Sequence, residues 1–248
     1  MIIIKQNFNE LYNKFIRIKK QGWIETKRTG TTGIGYTFES LLNKKEENFP
    51  IPDYNGIEIK TMHKYSKRNI HLFNATPDGD FLFPIKRILN ILGYPDKSNP
   101  EYKVLNISLS TNKYTNIGYY KKVKLYVNRK EEKIDVIAID NKGRDLEVRI
   151  SWSFNLLKER LSLKLNYLAI VEAESKIINN KEYFHYNKIC FYQLKDFQTF
   201  LSLIEKGDIV ITFKIGVFKS GNRVGQTHDR GTDFSIKEEK IKYLYKHL

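Results

Sequence analysis

Cysteine, histidine and long hydrophobic runs are all scarce in this 248-residue sequence. Cys190 has no partner in the chain, which excludes an internal disulfide, and the five scattered histidines show no zinc-ligand spacing. The longest apolar runs, such as "IVITF" at 209–213, fall far short of the roughly 20 residues of a membrane helix. The start "MIIIKQNFNE" is too briefly apolar for a signal peptide. We therefore expect a cytoplasmic protein with no membrane partner.

Acidic residues are scarce relative to basic ones. The chain has 43 Lys and Arg against 28 Asp and Glu, a formal net charge of +15. A basic chain favours a polyanionic partner, because each cation set against a phosphate releases a counterion, and nucleic acid is the first candidate. An AT-rich source genome would raise Lys, Asn, Ile and Tyr together, but it does not explain the excess over acids. An anionic membrane surface is the weaker alternative, because no long basic amphipathic helix is evident.

The pattern of apolar residues predicts a mixed fold in a single domain, 1–248. Hydrophobic content of 41% and charged content of 29% are typical of a globular chain. Spacing of three to four residues predicts helices at 4–20, 36–44 and 153–168. Alternating and short apolar runs predict strands at 103–109, 122–128, 133–139, 145–150, 169–175 and 208–218. We expect an α/β or α+β fold with much antiparallel sheet.

The segment "PDYNGIEIKT" at 52–61 contains a hairpin signal between two acids. Asn55-Gly56 is a dipeptide favoured in type I′ turns. If these are the two turn residues, Tyr54 faces Ile57, and Asp53 faces Glu58 with Cβ atoms about 5 Å apart. Facing carboxylates are destabilising unless a cation lies between them, and a divalent cation that prefers oxygen ligands fits that requirement.

The strand after this turn places Glu58 and Lys60 on one face, because side chains alternate along a strand. A metal held by Asp53 and Glu58 would polarise a phosphoryl oxygen and lower the pKa of a bound water, while Lys60 would orient that water and offset developing charge. These are the groups that phosphodiester hydrolysis needs. The alternative is an ordinary solvated strand face with a surface ion pair, since acid-x-Lys is common by chance.

The segment "FKSGNRVGQTHDRGTDF" at 218–234 is too polar for a core and rich in glycine, which permits close backbone approach to a ligand. Arg223 and Arg230 could each form a bidentate contact with guanine, and His228 could bind a base edge or a phosphate. The alternative is a flexible surface loop.

Four segments together resemble the MvaI/BcnI restriction endonuclease family, in the MutH-like branch of the PD-(D/E)xK nucleases. They are "ETKRTGTTGIGYTFE", "PDYNGIEIKT", "WSFNLLKERLSLKLNYLAIVEAESK" and "SGNRVGQTHDRGTDFSI", in family order from about Glu25 to Ile236. Residues 64–150 match poorly and are expected to contain family-specific insertions.

The resemblance implies a mixed sheet with flanking helices and two lobes around a DNA cleft. It implies a type II restriction endonuclease that cuts double-stranded DNA at a short CCNGG-like site. Mg²⁺ would be the cofactor, Mn²⁺ would substitute for it, and Ca²⁺ would support binding only. The enzyme would act as a monomer beside a methyltransferase of the same restriction-modification system, which is not a physical partner.

The resemblance also assigns residues. Asp53 and Glu58 would hold the metal, Lys60 would be the catalytic lysine and Glu39 a supporting catalytic acid. The expected DNA contacts are Lys27, Arg28, Lys164, Arg223, His228, Asp229 and Arg230. The catalytic core would comprise about 1–75 plus 150–175, with recognition elements within 64–150 and 210–236.

Two other functions remain open from the sequence. One is a strand-nicking repair endonuclease like MutH, which shares the chemistry but has mismatch-repair partners. The other is a DNA-binding protein without catalysis, against which the intact set of Asp53, Glu58 and Lys60 argues.

Overall fold

The computed structural model describes residues 2–42, 51–66, 68–78 and 84–248. The helices are α1 (Ile2–Lys19), α2 (Gly33–Leu41), α3 (Pro84–Leu92), α4 (Phe154–Lys164), α5 (Phe197–Glu205) and α6 (Ile241–Leu244). The strands are β1 (Ile24–Glu25), β2 (Glu58–His63), β3 (Asn69–Asn74), β4 (Tyr94–Pro95), β5 (Lys103–Leu109), β6 (Thr115–Ile117), β7 (Lys121–Asn128), β8 (Lys133–Asp140), β9 (Ser151–Ser153), β10 (Tyr167–Ile178), β11 (Lys181–Leu194), β12 (Ile209–Val217), β13 (Thr227–Asp229), β14 (Asp233–Lys237) and β15 (Tyr245–His247). None of the described helices is long and apolar enough to cross a membrane.

The chain forms two compact units. Unit 1 comprises Met1–Arg68, Leu161–Lys195 and Lys242–Leu248, and unit 2 comprises Asn69–Arg160 and Asp196–Ile241. The predicted mixture of helices with largely antiparallel sheet is confirmed.

Unit 1 is built on a sheet in the order β1-β11-β10-β2, with β15 paired to β11. The β2 strand lies at one edge and is parallel to β10, whereas the other pairs are antiparallel. The predicted first helix is confirmed as α1, and its apolar residues Leu11, Phe15 and Ile18 are buried. They pack in one hydrophobic cluster with Ile57 and Ile59 from the segment that carries the predicted metal ligands.

Unit 2 contains two antiparallel sheets. One has the order β3-β14-β12-β5-β4 with β13 on β12, and the other has the order β6-β7-β8-β9. Buried aromatic rings support them: Trp152 lies edge-on to Phe234 at 5.6 Å, and Phe73 stacks on Phe234 at 4.7 Å. This core fixes β12 and β14, the strands that flank the C-terminal polar segment.

The strand expected at 145–150 is wrong. Glu147 and Arg149 adopt left-handed φ values of 47° and 51°, which interrupt an extended strand. The Arg87 side chain donates hydrogen bonds to the carbonyl oxygens of Glu147 and Val148, at 2.7 and 2.8 Å, and so satisfies backbone groups that a sheet partner would otherwise take. The helix expected at 153–168 also ends early, at Lys164, because Tyr167 already begins β10.

The glycine-rich loop before α2 folds tightly around Gly33, the first residue of the helix. Thr26 Oγ1 donates a hydrogen bond to the Arg28 carbonyl oxygen at 2.6 Å. A Cβ atom at Gly33 would lie 2.3 Å from that carbonyl oxygen and 2.8 Å from Thr26 Oγ1. Glycine is therefore required where the chain enters α2.

We predict that Gly33→Ala destabilises the protein by about 1–3 kcal/mol, the usual cost of forcing an extra carbon into a packed site. The matched control is Gly216→Ala, because a Cβ atom there meets nothing within 4 Å. That control should change stability by no more than about 0.5 kcal/mol. Urea unfolding midpoints at unchanged m-value would measure both. Equal midpoints for the two variants would contradict the packing argument.

Candidate active site

The predicted type I′ turn is confirmed. Asn55 and Gly56 have φ values of 43° and 84°, both in the left-handed region that this turn requires. Tyr54 and Ile57 exchange backbone hydrogen bonds, with N···O distances of 2.9 and 2.8 Å. The turn therefore closes with the predicted register.

The expectation that Asp53 faces Glu58 across a continued ladder needs correction. The pairing consists of a single bridge between Tyr54 and Ile57. Asp53 instead accepts a hydrogen bond from the Ile59 backbone N–H through Oδ2, at 3.0 Å. The Asp53 carboxylate is thereby tied to the backbone of β2, and its negative charge still acts on Glu58.

Glu58 is almost completely buried, with 1% of its surface exposed. Its Oε1 lies 2.6 Å from Lys60 Nζ and 3.5 Å from Lys164 Nζ. Its Oε2 is buried without a hydrogen-bond partner among the described residues. The alternative of a solvated strand face is therefore wrong for Glu58, which is a buried acid between two lysines.

Burial raises the pKa of Glu58 above its ordinary value of 4.5, because removal from water disfavours the charged form. The charge of Lys60 opposes this rise, the charge of Asp53 adds to it, and Lys164 opposes it more weakly. Ionised Glu58 therefore lacks part of the stabilisation that its charge requires. A further positive charge at Oε2 would supply it.

The donor set at this place fits a hard cation. Carboxylate oxygens are the preferred ligands of Mg²⁺ and Ca²⁺, and Glu58 Oε2 is a buried oxygen that lacks a partner. In the part of the chain that the structure describes, no group of three or more His, Cys, Asp or Glu is arranged to hold a metal ion. An ion held by Asp53 and Glu58 would thus need water or substrate oxygens to complete its coordination.

Glu39 lies on α2, close to where that helix crosses β2. A Cβ atom at Gly35 would lie 3.1 Å from Thr61 Oγ1 and 3.7 Å from Glu39 Oε1. The bare glycine thus lets α2 approach the residue that follows Lys60. The Glu39 carboxylate is placed beside Gly35 and Thr61, on the helix face directed to β2.

Lys27 and Arg28 lie in the loop that enters α2. The Lys27 backbone N–H donates to Thr37 Oγ1 at 2.9 Å. The Arg28 guanidinium carbon lies 3.7 Å from the centre of the Tyr36 ring, in a cation–π contact. Both residues belong to unit 1, as do Asp53, Glu58, Lys60 and Lys164.

The C-terminal polar segment is ordered by a stack of three side chains in unit 2. The Phe218 and His228 rings are nearly parallel, with centroids 4.1 Å apart. The Arg223 guanidinium carbon lies 4.0 Å from the Phe218 ring. The segment forms a short 3-10 turn at Gly221–Arg223 followed by strand β13, which does not fit the alternative of a flexible surface loop.

Asp229 and Arg230 continue this segment. Asp229 Oδ1 accepts the Gly231 backbone N–H at 2.9 Å, and burial raises the pKa of its carboxyl group. The exposed Arg230 borders a groove of about 480 Å³. The groove is also lined by three lysines that sequence analysis missed, Lys97, Lys214 and Lys219.

Lys97 lies more than 100 residues before Lys214 and Lys219, so no local spacing in the sequence connects all three. Lys219 Nζ is held by Asp96 Oδ2 at 3.2 Å and by Ser98 Oγ at 2.7 Å. Hydrogen bonds from Ser98 lower the pKa of Asp96, which keeps its carboxylate charged. Lys214 Nζ is likewise held by Asp233 Oδ2 at 2.9 Å, so two of the three lysines are paired with carboxylates of unit 2.

We predict that Glu58→Gln stabilises the metal-free protein relative to wild type in a pH-dependent way. The folded-state pKa of Glu58 is raised, so wild type loses stability as pH rises above the unfolded value of 4.5 through the folded value. The advantage of Glu58→Gln should therefore grow with pH and then level off. Urea titrations between about pH 4 and 8 would measure it.

The control for this prediction is Glu205, whose pKa shift, and therefore whose pH dependence of stability, is opposite in sign. The Arg129 side chain, which bonds to Glu205 at 2.6 Å, lowers the pKa of that carboxyl group. Glu205→Gln should therefore be less stable than wild type, by the largest margin at neutral pH and by the smallest in acid. A pH-independent difference for Glu58→Gln would show that Glu58 does not ionise against its burial.

Comparison with known proteins places this geometry in a family. The model of the MvaI/BcnI restriction endonuclease family matches residues 12–245. A solved structure described as a restriction endonuclease MvaI–cognate DNA substrate complex is 34% identical with a TM-score of 0.87, covering 97% of this chain and 96% of that chain. MvaI in the absence of DNA is 33% identical with a TM-score of 0.64, covering 98% and 96%.

A comparison with curated proteins found no match. The family match nevertheless spans nearly the whole chain, and the solved relatives have the same mixed α+β, PD-(D/E)xK-like fold. The chain belongs to the MvaI/BcnI restriction endonuclease family, and it is a sequence-specific type II restriction endonuclease that acts on DNA.

Proposed function

We propose that the protein hydrolyses both strands of double-stranded DNA at a short CCNGG-like site, with catalysis in unit 1 and base recognition in unit 2. The observation that carries this proposal is the buried Glu58 carboxylate, flanked by Lys60 and Lys164 and close to the charge of Asp53. The similarity to MvaI, which was solved with its cognate DNA, supports duplex DNA as the substrate.

Restriction endonucleases generally use a divalent metal ion. In this proposal Asp53 and Glu58 hold Mg²⁺, which Mn²⁺ can replace, with Glu39 as a supporting acid on α2. When bound, such an ion supplies Lewis-acid polarisation of the phosphate and a water of lowered pKa. The unpartnered Glu58 Oε2 supports this assignment.

Lys60 provides charge and orientation at the reacting phosphate. Its Nζ is held by Glu58 at 2.6 Å, and only 19% of its side chain is exposed, so its position is defined before DNA arrives. A preorganised ammonium group stabilises negative charge that develops on the phosphate in the transition state. Lys164, 3.5 Å from the same carboxylate, adds positive charge from α4 and contacts the DNA.

Recognition is assigned to the C-terminal segment of unit 2. Arg223 lies in the 3-10 turn between β12 and β13. His228 and Asp229 lie on β13, and Arg230 directly follows that strand. Arginine reads guanine through paired hydrogen bonds, which suits a site rich in C·G pairs. Lys27 and Arg28 in unit 1 hold the phosphate backbone without reading sequence.

The proposed enzyme acts as a monomer in the cytoplasm, beside a methyltransferase that protects the host DNA. A MutH-like nicking enzyme is the second candidate, because it would use the same carboxylates and lysine. Membership in the MvaI/BcnI family favours restriction over nicking and over binding without catalysis.

Digestion of plasmid DNA with Mg²⁺ tests the function. We expect double-strand cuts at fixed positions, and a loss of at least about 100-fold in cleavage rate for Asp53→Ala, Glu58→Ala or Lys60→Ala, because each removes transition-state charge stabilisation. Specific DNA binding should persist in the presence of Ca²⁺, which occupies oxygen ligands with looser geometry.

The matched control is Lys188→Ala. Lys188 also pairs with a glutamate in the sheet of unit 1, Glu172 at 2.7 Å, but on an exposed surface. Its loss should leave cleavage unchanged. Nicks confined to hemimethylated DNA would support the MutH-like alternative, and near wild-type cutting by Glu58→Ala would refute the site assignment.

A second prediction separates base reading from phosphate holding. Arg223→Ala and Arg230→Ala should each weaken the binding free energy for the cognate duplex by about 1–3 kcal/mol. Each should also reduce the preference of the protein for cognate over scrambled DNA. Lys27→Ala and Arg28→Ala should weaken binding to the cognate and scrambled duplexes equally. They should also lower the slope of log affinity against log salt by about one unit per lost contact.

Binding of these variants to cognate and scrambled duplexes across a salt series would measure both effects. An unchanged cognate-to-scrambled ratio in both arginine variants would rule out the C-terminal segment as the reader. The segment 64–150 would then be the next part of the chain to test.

A further inference from the structure

One face of α1 contacts the turn that lies between the two proposed metal ligands. Ile4, Asn7 and Glu10 are spaced three residues apart, which places them on the same side of a helix. Each approaches a different residue of the turn, and the turn lies between Asp53 and Glu58 in the sequence. The helix is therefore in direct contact with the backbone that separates these carboxylates.

Three contacts define this arrangement. Asn7 Nδ2 donates a hydrogen bond to the Asn55 carbonyl oxygen at 2.8 Å. The Tyr54 hydroxyl donates to Glu10 Oε1 at 2.5 Å. A Cβ atom at Gly56 would lie 4.0 Å from Ile4 Cδ1, so the turn also packs against the helix.

Lys14, one turn further along α1, completes the cluster. Its Nζ lies 3.4 Å from Glu10 Oε1 and 4.8 Å from the centre of the Tyr54 ring. The ammonium group thus restrains both partners of the hydroxyl–carboxylate hydrogen bond. Tyr54 is held at its backbone by Ile57 and at its hydroxyl by Glu10.

We propose that Asn7, Glu10 and Tyr54 are positioning residues, which hold the 54–57 hairpin against α1 and thereby set the placement of Asp53 relative to Glu58. This inference rests on the proposed metal-binding role of those two carboxylates. Asp53 follows the hairpin because it is bonded to the Ile59 N–H immediately beyond it. Outer residues that orient metal ligands typically affect metal affinity or activity by about 10–100-fold.

If the cluster of Asn7, Glu10, Lys14 and Tyr54 served only global stability, its loss would lower the free energy of unfolding of the whole protein. The Glu10 and Lys14 side chains are 53% and 37% exposed, and exposed ion pairs contribute little to the stability of a protein. Loss of the cluster should therefore change the local geometry of the hairpin more than the global unfolding transition.

The first measurement needs neither metal nor DNA. Hydrogen exchange at the Ile59 amide reports directly on Asp53, because this amide of an edge strand is bonded to the Asp53 carboxylate. We expect exchange at Ile59 to be about 10-fold faster in Tyr54→Phe and in Glu10→Ala, with amides in the middle of α1 unaffected. Glu10→Gln keeps an acceptor for the Tyr54 hydroxyl and should restore most of the protection.

The matched control is Tyr183→Phe. Tyr183 also donates its hydroxyl to a glutamate in unit 1, Glu25 at 3.1 Å, and neither residue belongs to the hairpin cluster. This variant should leave exchange at Ile59 unchanged. Equal exchange at Ile59 in wild type, Tyr54→Phe and Glu10→Ala would overturn the proposal, as would a uniform acceleration of all amides.

Calorimetric titration with Mn²⁺ provides the second measurement. Tyr54→Phe and Glu10→Ala should bind Mn²⁺ about 10-fold more weakly than wild type and Tyr183→Phe. Faster Ile59 exchange with unchanged Mn²⁺ affinity would overturn the positioning role. If wild type itself binds no Mn²⁺ and does not cut DNA, the proposed function fails, and the exchange measurement alone then decides whether the cluster holds Asp53.

Discussion

The buried Glu58 carboxylate is the constraint on which the arrangement of unit 1 depends. Removal of a carboxylate from water is unfavourable unless opposite charge and hydrogen bonds replace the lost hydration. Lys60 and Lys164 provide part of that replacement on Oε1, while Oε2 has no partner among the described residues. The neighbours Ile57 and Ile59 are buried in the hydrophobic cluster, so the strand cannot turn to expose Glu58 without exposing them. Apolar packing therefore maintains an electrostatically unfavourable group in place.

The parts of the fold that were predictable depend on local signals. The Asn55-Gly56 turn follows from the left-handed preference of those two residues, and α1 follows from its helical spacing of apolar residues. The strand expected at 145–150 failed because Glu147 and Arg149 take left-handed φ values that nothing in their residue type indicates. Arg87, far away in the sequence, provides the compensating hydrogen bonds.

At the candidate site, too, the features set by local sequence signals were predictable and those set by distant parts of the chain were not. Asp53, Glu58 and Lys60 lie within one short segment, so strand alternation and turn preferences were enough to predict that they lie close together. Lys164 approaches Glu58 because β10 runs parallel to β2 and α4 precedes β10. In the sequence, only the family resemblance singled out this lysine. The contact of Glu10 with Tyr54 had no sequence signal at all, because a glutamate on an amphipathic helix ordinarily faces solvent.

Solvent-exposed charges and buried charges in this protein differ in how strongly salt screens them. The groove lined by Lys97, Lys214 and Arg230 faces solvent, where added salt screens its attraction for phosphate. Glu58 and Lys60 lie in a site that water enters poorly, where their interaction is screened much less. In the proposed function, ionic strength therefore acts mainly on the affinity for DNA and only weakly on the interaction between Glu58 and Lys60. In the function proposed here, solvated cations hold the DNA and the buried acid organises the site, so affinity for DNA and chemistry at the phosphate depend on different groups.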